Sequence, residues 1–133
     1  MTGRDLSRLL RPRSVAILGG GWAEKVVDAC RAMGFAGEIW PVNPRRTEMA
    51  GVPCLPDLAA LPAPPDAAFV AVNRTASVEA VAALSAMGAG GAVAFASGFS
   101  ETADGAALEA ALVAAAGDMP VLGPNCYGCL NYL

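Results

Sequence analysis

No histidine occurs among the 133 residues. That absence removes the commonest general base and the commonest metal ligand. A Gly-x-Ser-x-Gly elbow is also missing, so a serine-hydrolase triad cannot be assembled from this chain. The four cysteines, Cys30, Cys54, Cys126 and Cys129, are too few and too scattered for a disulfide scaffold. The last two have CxxC spacing, but zinc needs two more ligands and no histidine can supply them. A redox CxxC belongs near the start of a helix after an early strand, and this pair lies at the far end. No catalytic residue and no metal site is therefore assigned. No apolar run reaches membrane-spanning length, and Met1 to Leu6 lack a signal-peptide core. A reducing cytoplasm is the expected compartment.

Charge is also sparse, at 16% of residues, and the net value of −3 argues against non-specific nucleic-acid binding. All nine basic residues lie between Arg4 and Arg74, and from Glu79 onward only acids remain. A phosphate-bearing ligand is therefore expected near the first half of the fold. Hydrophobic residues make up 55%, much of it alanine and valine. Either one face meets another domain or subunit, or the alanine reflects coding bias. A homo-oligomer is left open. The length fits one domain, residues 1–133, able to bury a real core.

What is present is an alternation. Ser14 to Leu18 reads as a buried strand that ends in Gly19-Gly20-Gly21. Trp22 to Met33 has helical spacing at Val26, Val27, Cys30 and Met33. Glu38 to Val42 is a second strand, stopped by Asn43-Pro44. A proline-rich loop follows, with room for a short helix at Leu55 to Leu61. Ala67 to Val72 is a third strand, and Thr75 to Met87 a helix with Val78, Val81, Ala82 and Leu84 on one side. Ala92 to Ala96 is a fourth strand. Asp104 to Ala116 is a helix carrying Leu108, Leu112 and Val113, and Pro120 to Leu122 is a fifth strand. Continuously apolar strands alternating with helices mean a parallel sheet covered on both faces. The predicted fold class is α/β, a doubly wound, Rossmann-like single domain.

Ligands of such sheets bind beyond the carboxyl ends of the strands, so the five loops there are the candidates. Gly19, Gly20 and Gly21, with Trp22, let backbone amides approach a pyrophosphate at a helix N-terminus. The dinucleotide fingerprint is incomplete, because Glu24 stands where its third glycine belongs. An NAD site wants an acid after the second strand, and here the chain reads Asn43, Pro44, Arg45, Arg46. Arginine suits a ribose phosphate, which leaves both coenzyme A, with its 3′-phosphate, and NADP, with its 2′-phosphate. Val72, Asn73 and Arg74 follow the third strand. Ser97, Gly98 and Phe99 follow the fourth. Asn125 lies in the Gly123-Pro124-Asn125-Cys126 loop after the fifth.

With these loops placed, the chain resembles the CoA-binding domain of NDP-forming acyl-CoA synthetases. The superfamily includes the succinyl-CoA synthetase alpha subunit and ADP-forming acetyl-CoA synthetase. The resemblance spans nearly the whole chain. It runs from Leu10-Arg11-Pro12-Arg13-Ser14-Val15 through Pro41-Val42-Asn43-Pro44 and Ser97-Gly98-Phe99-Ser100-Glu101 to Gly123-Pro124-Asn125-Cys126-Tyr127-Gly128.

The resemblance implies an acid-thiol ligase that works through an acyl phosphate and a phosphorylated histidine, with coenzyme A on this domain. It implies that Gly19 to Trp22 cradle the CoA phosphates. Asn43, Pro44 and Arg45 would border adenine and its ribose phosphate. Val72 to Arg74 and Ser97 to Phe99 would line pantetheine, and Asn125 would face the acyl-transfer centre. The first loop is shorter than in many members, and Asn73-Arg74 replaces a proline-containing segment. The phosphorylated histidine, and the sites for ATP, ADP and magnesium, would belong to the remaining domains or subunit of the synthetase. The chain is thus expected to be an N-terminal piece that binds CoA and alone does not catalyse. A stand-alone CoA-binding regulatory protein and an NADP-binding oxidoreductase domain are the alternatives.

Overall fold

In the computed structural model, residues 7–94 and 103–122 are described. Parallel strands that are apolar throughout need cover on both faces, and the chain supplies it. Strands β1 (Ser14–Gly19), β2 (Glu38–Val42), β5 (Ala67–Ala71), β6 (Ala92–Ala94) and β7 (Val121–Leu122) form one parallel sheet in the order β2-β1-β5-β6-β7. The chain steps outward from β1 to β2, then crosses to the other side of β1. That reversal puts a topological switch point between the carboxyl ends of β1 and β5.

Successive strand residues point to opposite faces, and this splits the core in two. Ala16, Leu18, Ala68 and Val70 pack with Val81, Leu84 and Leu112 on the side of α3 (Arg74–Met87) and α4 (Ala103–Ala116). Ile17 faces the other way and packs with Ala23 and Val27 of α2 (Gly21–Ala32) and with Met49. Met49 belongs to a hairpin, β3 (Glu48–Met49) and β4 (Val52–Pro53), that the sequence reading missed. Two-residue strands carry no measurable periodicity, so the pattern had nothing to detect. Helix α1 (Ser7–Leu10) was missed for the same reason.

The expected strands and helices are present, with small corrections. The expected short helix is the three-residue 3-10 turn Leu58–Ala60, capped by the Asp57 carboxylate. Ala82 is exposed, and Ser77 and Ala80 take its place on the buried side of α3. Met33 ends α2 and is 82% exposed, and Val113 is 59% exposed beside buried Leu112. In the sheet, Ala16, Ala68, Ala92 and Ala94 are buried and let the covering helices sit close. Ala107, Ala110 and Ala114 of α4 are exposed, so part of the alanine content does lie on a surface. Among the described residues, no helix is long and apolar enough to cross a membrane.

Candidate functional site

The carboxyl end of β1 meets that of β5 at the register pair Gly19 and Ala71. Gly19 has φ +135°, and a Cβ there would overlap the Ala71 carbonyl oxygen. Only glycine fits so tight a join. The chain then turns through Gly20, which caps α2 without a side chain. The first helical bond runs from the Glu24 N–H to the Gly20 carbonyl at 2.9 Å. By helix geometry the preceding amides have no intrahelical acceptor, and the helix dipole adds positive potential there. Among the described residues, nothing lies within 4 Å of where a Cβ would stand on Gly20 or Gly21. The switch point therefore presents amides that no described residue covers, which is what a phosphate group requires.

The second loop is tied to this turn by Asn43. Its Nδ2 donates to the Gly19 carbonyl at 2.8 Å, and its Oδ1 accepts from the Arg45 amide at 2.8 Å. Its own amide donates to the Leu55 carbonyl at 2.9 Å, so the loop is held from the other side as well. Asn43 thus fixes the backbone of Arg45 relative to the glycine turn, and the Arg45 side chain is exposed. Arg46 behaves differently. Its guanidinium is ion-paired with Glu24 in the first turn of α2. The Glu24 carboxylate would repel a phosphate at this helix end, and Arg46 offsets that charge.

Of the third loop, Val72 is half-buried against the α3 side of the core. Asn73 is the N-cap of α3, with Oδ1 accepting from the Ala76 amide at 2.8 Å. Arg74 is the first residue of that helix. Trp22 is 58% exposed and stands outside the glycine turn, with the Lys25 ammonium 4.6 Å from its ring centroid. The structure thus gathers Gly19, Gly20, Gly21, Trp22, Asn43, Pro44, Arg45, Val72, Asn73 and Arg74 at the carboxyl ends of β1, β2 and β5. Ser97, Gly98, Phe99 and Asn125 lie outside the described residues, as do Cys126 and Cys129.

Two charged residues at this edge escaped the sequence reading. Lys25 had a usable signal, since it lies one helical turn beyond Trp22. Glu24 had none, because its partner is 22 residues away. The two described cysteines are free thiols, and burial pushes both upward in pKa. At Cys54 the nearby Arg46 opposes that rise, and Glu48 and Glu24 add to it. A protonated thiol is a poor nucleophile. Among the described residues no group of acids and cysteines could hold a metal ion.

Comparison with known proteins points the same way. The CoA binding domain family matches residues 11–132. A trans-feruloyl-CoA synthase from an unknown prokaryotic organism is 36% identical over 140 residues, covering 99% of this chain and 20% of that protein. An ADP-forming acetate–CoA ligase of Archaeoglobus fulgidus is 34% identical, over 96% of this chain and 20% of its own length. The apo structure of a dinucleotide-forming acetyl-coenzyme A synthetase from Ca. Korarchaeum cryptofilum superposes with a TM-score of 0.85. It is 30% identical, over 93% of this chain and 28% of that one. The chain therefore spans about one fifth of the length of the curated relatives it matches.

Proposed function

The chain belongs to the CoA binding domain family, and from that premise we propose that it serves as the CoA-binding domain of a longer NDP-forming acyl-CoA synthetase. Coenzyme A is its ligand. The observation that carries the reading is the pair of open glycines, Gly20 and Gly21, with Arg45 tethered beside them and no acid following β2. An NAD ribose would need that acid.

The residues fit the ligand. The α2 amides and the dipole behind them receive the pyrophosphate. Asn43 sets the distance from that cradle to Arg45, and Arg45 pairs with the 3′-phosphate on the ribose. Val72 and Asn73 border the next stretch of the edge, along which pantetheine runs. When bound, CoA supplies the thiol that accepts the acyl group. The sequence has no histidine, so a phosphoryl-carrying histidine comes from another part of the synthetase or a partner subunit. The free thiols at Cys30 and Cys54 accord with work in a reducing cytoplasm.

Calorimetric titration with CoA, dephospho-CoA and NADPH tests the reading. Saturable binding of CoA, stronger than that of dephospho-CoA, is expected, with none of NADPH. The Arg45→Ala variant should lose about tenfold in CoA affinity and little for dephospho-CoA. Preferential binding of NADPH would overturn the assignment.

A further inference from the structure

Two adjacent arginines follow β2, and the structure gives them different duties. The Arg46 guanidinium is held by Glu24. The same carboxylate lies 3.4 Å from the Ala50 amide, at the turn of the β3–β4 hairpin. Arg31, one helical stretch further along α2, donates to the Ala50 carbonyl. Met49 beside that turn is fully buried against Val27 and Ala23. The hairpin is thus fastened to α2 by polar contacts at its turn and an apolar anchor beneath. Arg46 is part of that fastening.

Arg45 stands between two fixed points. Asn43 holds its amide on one side, and the Arg46–Glu24 pair holds the next residue on the other. Among the described residues, neither a hydrogen bond nor an ion pair engages the Arg45 side chain. An exposed arginine on a loose loop must lose backbone and side-chain freedom when it grips an anion. One whose backbone is already fixed loses less, and binds more tightly for the same contact. We propose that Glu24 is a positioning residue for ligand discrimination: by holding Arg46 it braces the loop so that Arg45 reads the ribose 3′-phosphate, while Glu24 itself touches no part of the ligand. This rests on the CoA-binding reading above and extends it from which residues bind to which residues set the preference.

The test is the ratio of affinities for CoA and dephospho-CoA, measured by calorimetry on the full chain. A brace lost for merely structural reasons would weaken both ligands alike and leave the ratio unmoved. The unaltered chain should prefer CoA about tenfold. Glu24→Ala should shrink the preference to about twofold, with dephospho-CoA affinity unchanged or raised because the carboxylate that repels the pyrophosphate is gone. Arg46→Ala should shrink the preference likewise but lower the affinity for both ligands, because it leaves that carboxylate uncompensated, and Arg46→Lys, which keeps the ion pair, should retain the preference. Arg45→Ala should abolish it, and adding Glu24→Ala to that variant should change the ratio no further. Thermal melts of each variant confirm that it is folded before its ratio is read. An equal loss for both ligands in Glu24→Ala would overturn the proposal. So would a larger preference in that variant, which would mean that a released Arg46 grips the phosphate itself. If the unaltered chain binds no CoA, the functional reading fails and the brace falls with it.

Discussion

At the amino ends of the strands, Arg8 donates from Nε to Asp66 at 2.7 Å and from Nη1 to the Gly88 carbonyl at 2.9 Å. Asp66 also accepts from the Arg13 amide at 2.8 Å, and its own amide donates to the Ser14 hydroxyl at 3.0 Å. At the carboxyl ends, side chains also bond to backbone, through Asn43 and Asn73, but each such bond flanks a space that is left open. One end of the sheet is sealed by the side chains of Arg8, Ser14 and Asp66, which bond one another and the backbone of Arg13, Asp66 and Gly88. At the other, Asn43 ties the second loop to the glycine turn and Asn73 caps α3. Side chains bonded to backbone close one end, and at the other they border the proposed ligand site. Glycine marks the contrast. At the sealed end Gly90 and Gly91 make room for Arg8, Leu9 and the Asp66 carbonyl, whereas Gly20 and Gly21 meet none of the described residues.

Substituting glycine at each end is the sharpest way to break this comparison. Gly90→Ala would drive a methyl group into the Asp66 carbonyl and the Arg8 side chain. It should cost about 3 kcal/mol in chemical denaturation, and CoA affinity in whatever remains folded should be unchanged. A loss below about 1 kcal/mol would show that the sealed end yields easily.

Removing the charge at the sealed end should have the next largest effect. Asp66→Asn should destabilise by about 2 kcal/mol at neutral pH, because two hydrogen bonds lose their ionic partner. The Arg8 hydrogen bond, with help from the Arg13 amide, holds the Asp66 carboxyl below its ordinary pKa. A depressed folded-state pKa means that the folded protein binds this proton less readily than the unfolded chain. The stabilisation is therefore present above the unfolded value of about 4 and is lost as pH falls through the folded value. Stability curves of the wild type and Asp66→Asn should converge in acid. Curves that stay parallel down to about pH 2 would contradict the ionic origin.

Asn73→Ala tests a residue that the sequence placed in the ligand site and the structure uses as a cap. Loss of the bond to the Ala76 amide should cost about 1 kcal/mol in thermal or denaturant melts. If stability is unchanged and CoA affinity falls sharply, Asn73 serves the ligand more than the helix.

Gly21→Ala should have the smallest effect on stability, and of opposite sign. Gly21 opens α2 with a φ outside the left-handed region and free space where the methyl would go. Alanine favours a helix over glycine by up to about 1 kcal/mol, so the melt should be unchanged or slightly raised. The methyl would stand where a phosphate must approach, and CoA affinity should fall. A variant that gains stability and keeps its CoA affinity would move the ligand away from this helix end.

How much of this was legible depends on how far apart the partners lie in the chain. The strands β1, β2 and β5 were readable because each is five or six largely apolar residues, the first two closed by glycine or proline and the third preceded by Pro64-Pro65. The Gly19–Gly21 turn was readable because a strand must turn into a helix there. Helix α3 was readable, but its start was set one residue late, at Thr75 in place of Arg74. The hairpin at Glu48 to Pro53 gave no signal, although it buries Met49 and carries the turn that Glu24 and Arg31 hold. Arg45 and Arg46 looked equivalent, because adjacent residues of one type have no local feature that separates them.

By itself, then, the sequence determined the alternation of strand and helix, the parallel sheet, the edge proposed for the ligand and the family. Each of these follows from short-range periodicity, punctuation by glycine and proline, or a contiguous motif. The tertiary structure alone decided which polar side chains are spent on the fold. Arg8 finds Asp66 58 residues away, Asn43 finds Gly19 across 24, and Arg46 finds Glu24 across 22. The physical reason is that burial repeats along the chain and so leaves a pattern, whereas an ion pair or a side-chain hydrogen bond depends on two distant backbones arriving within about 3 Å. Only the folded sheet brings them there.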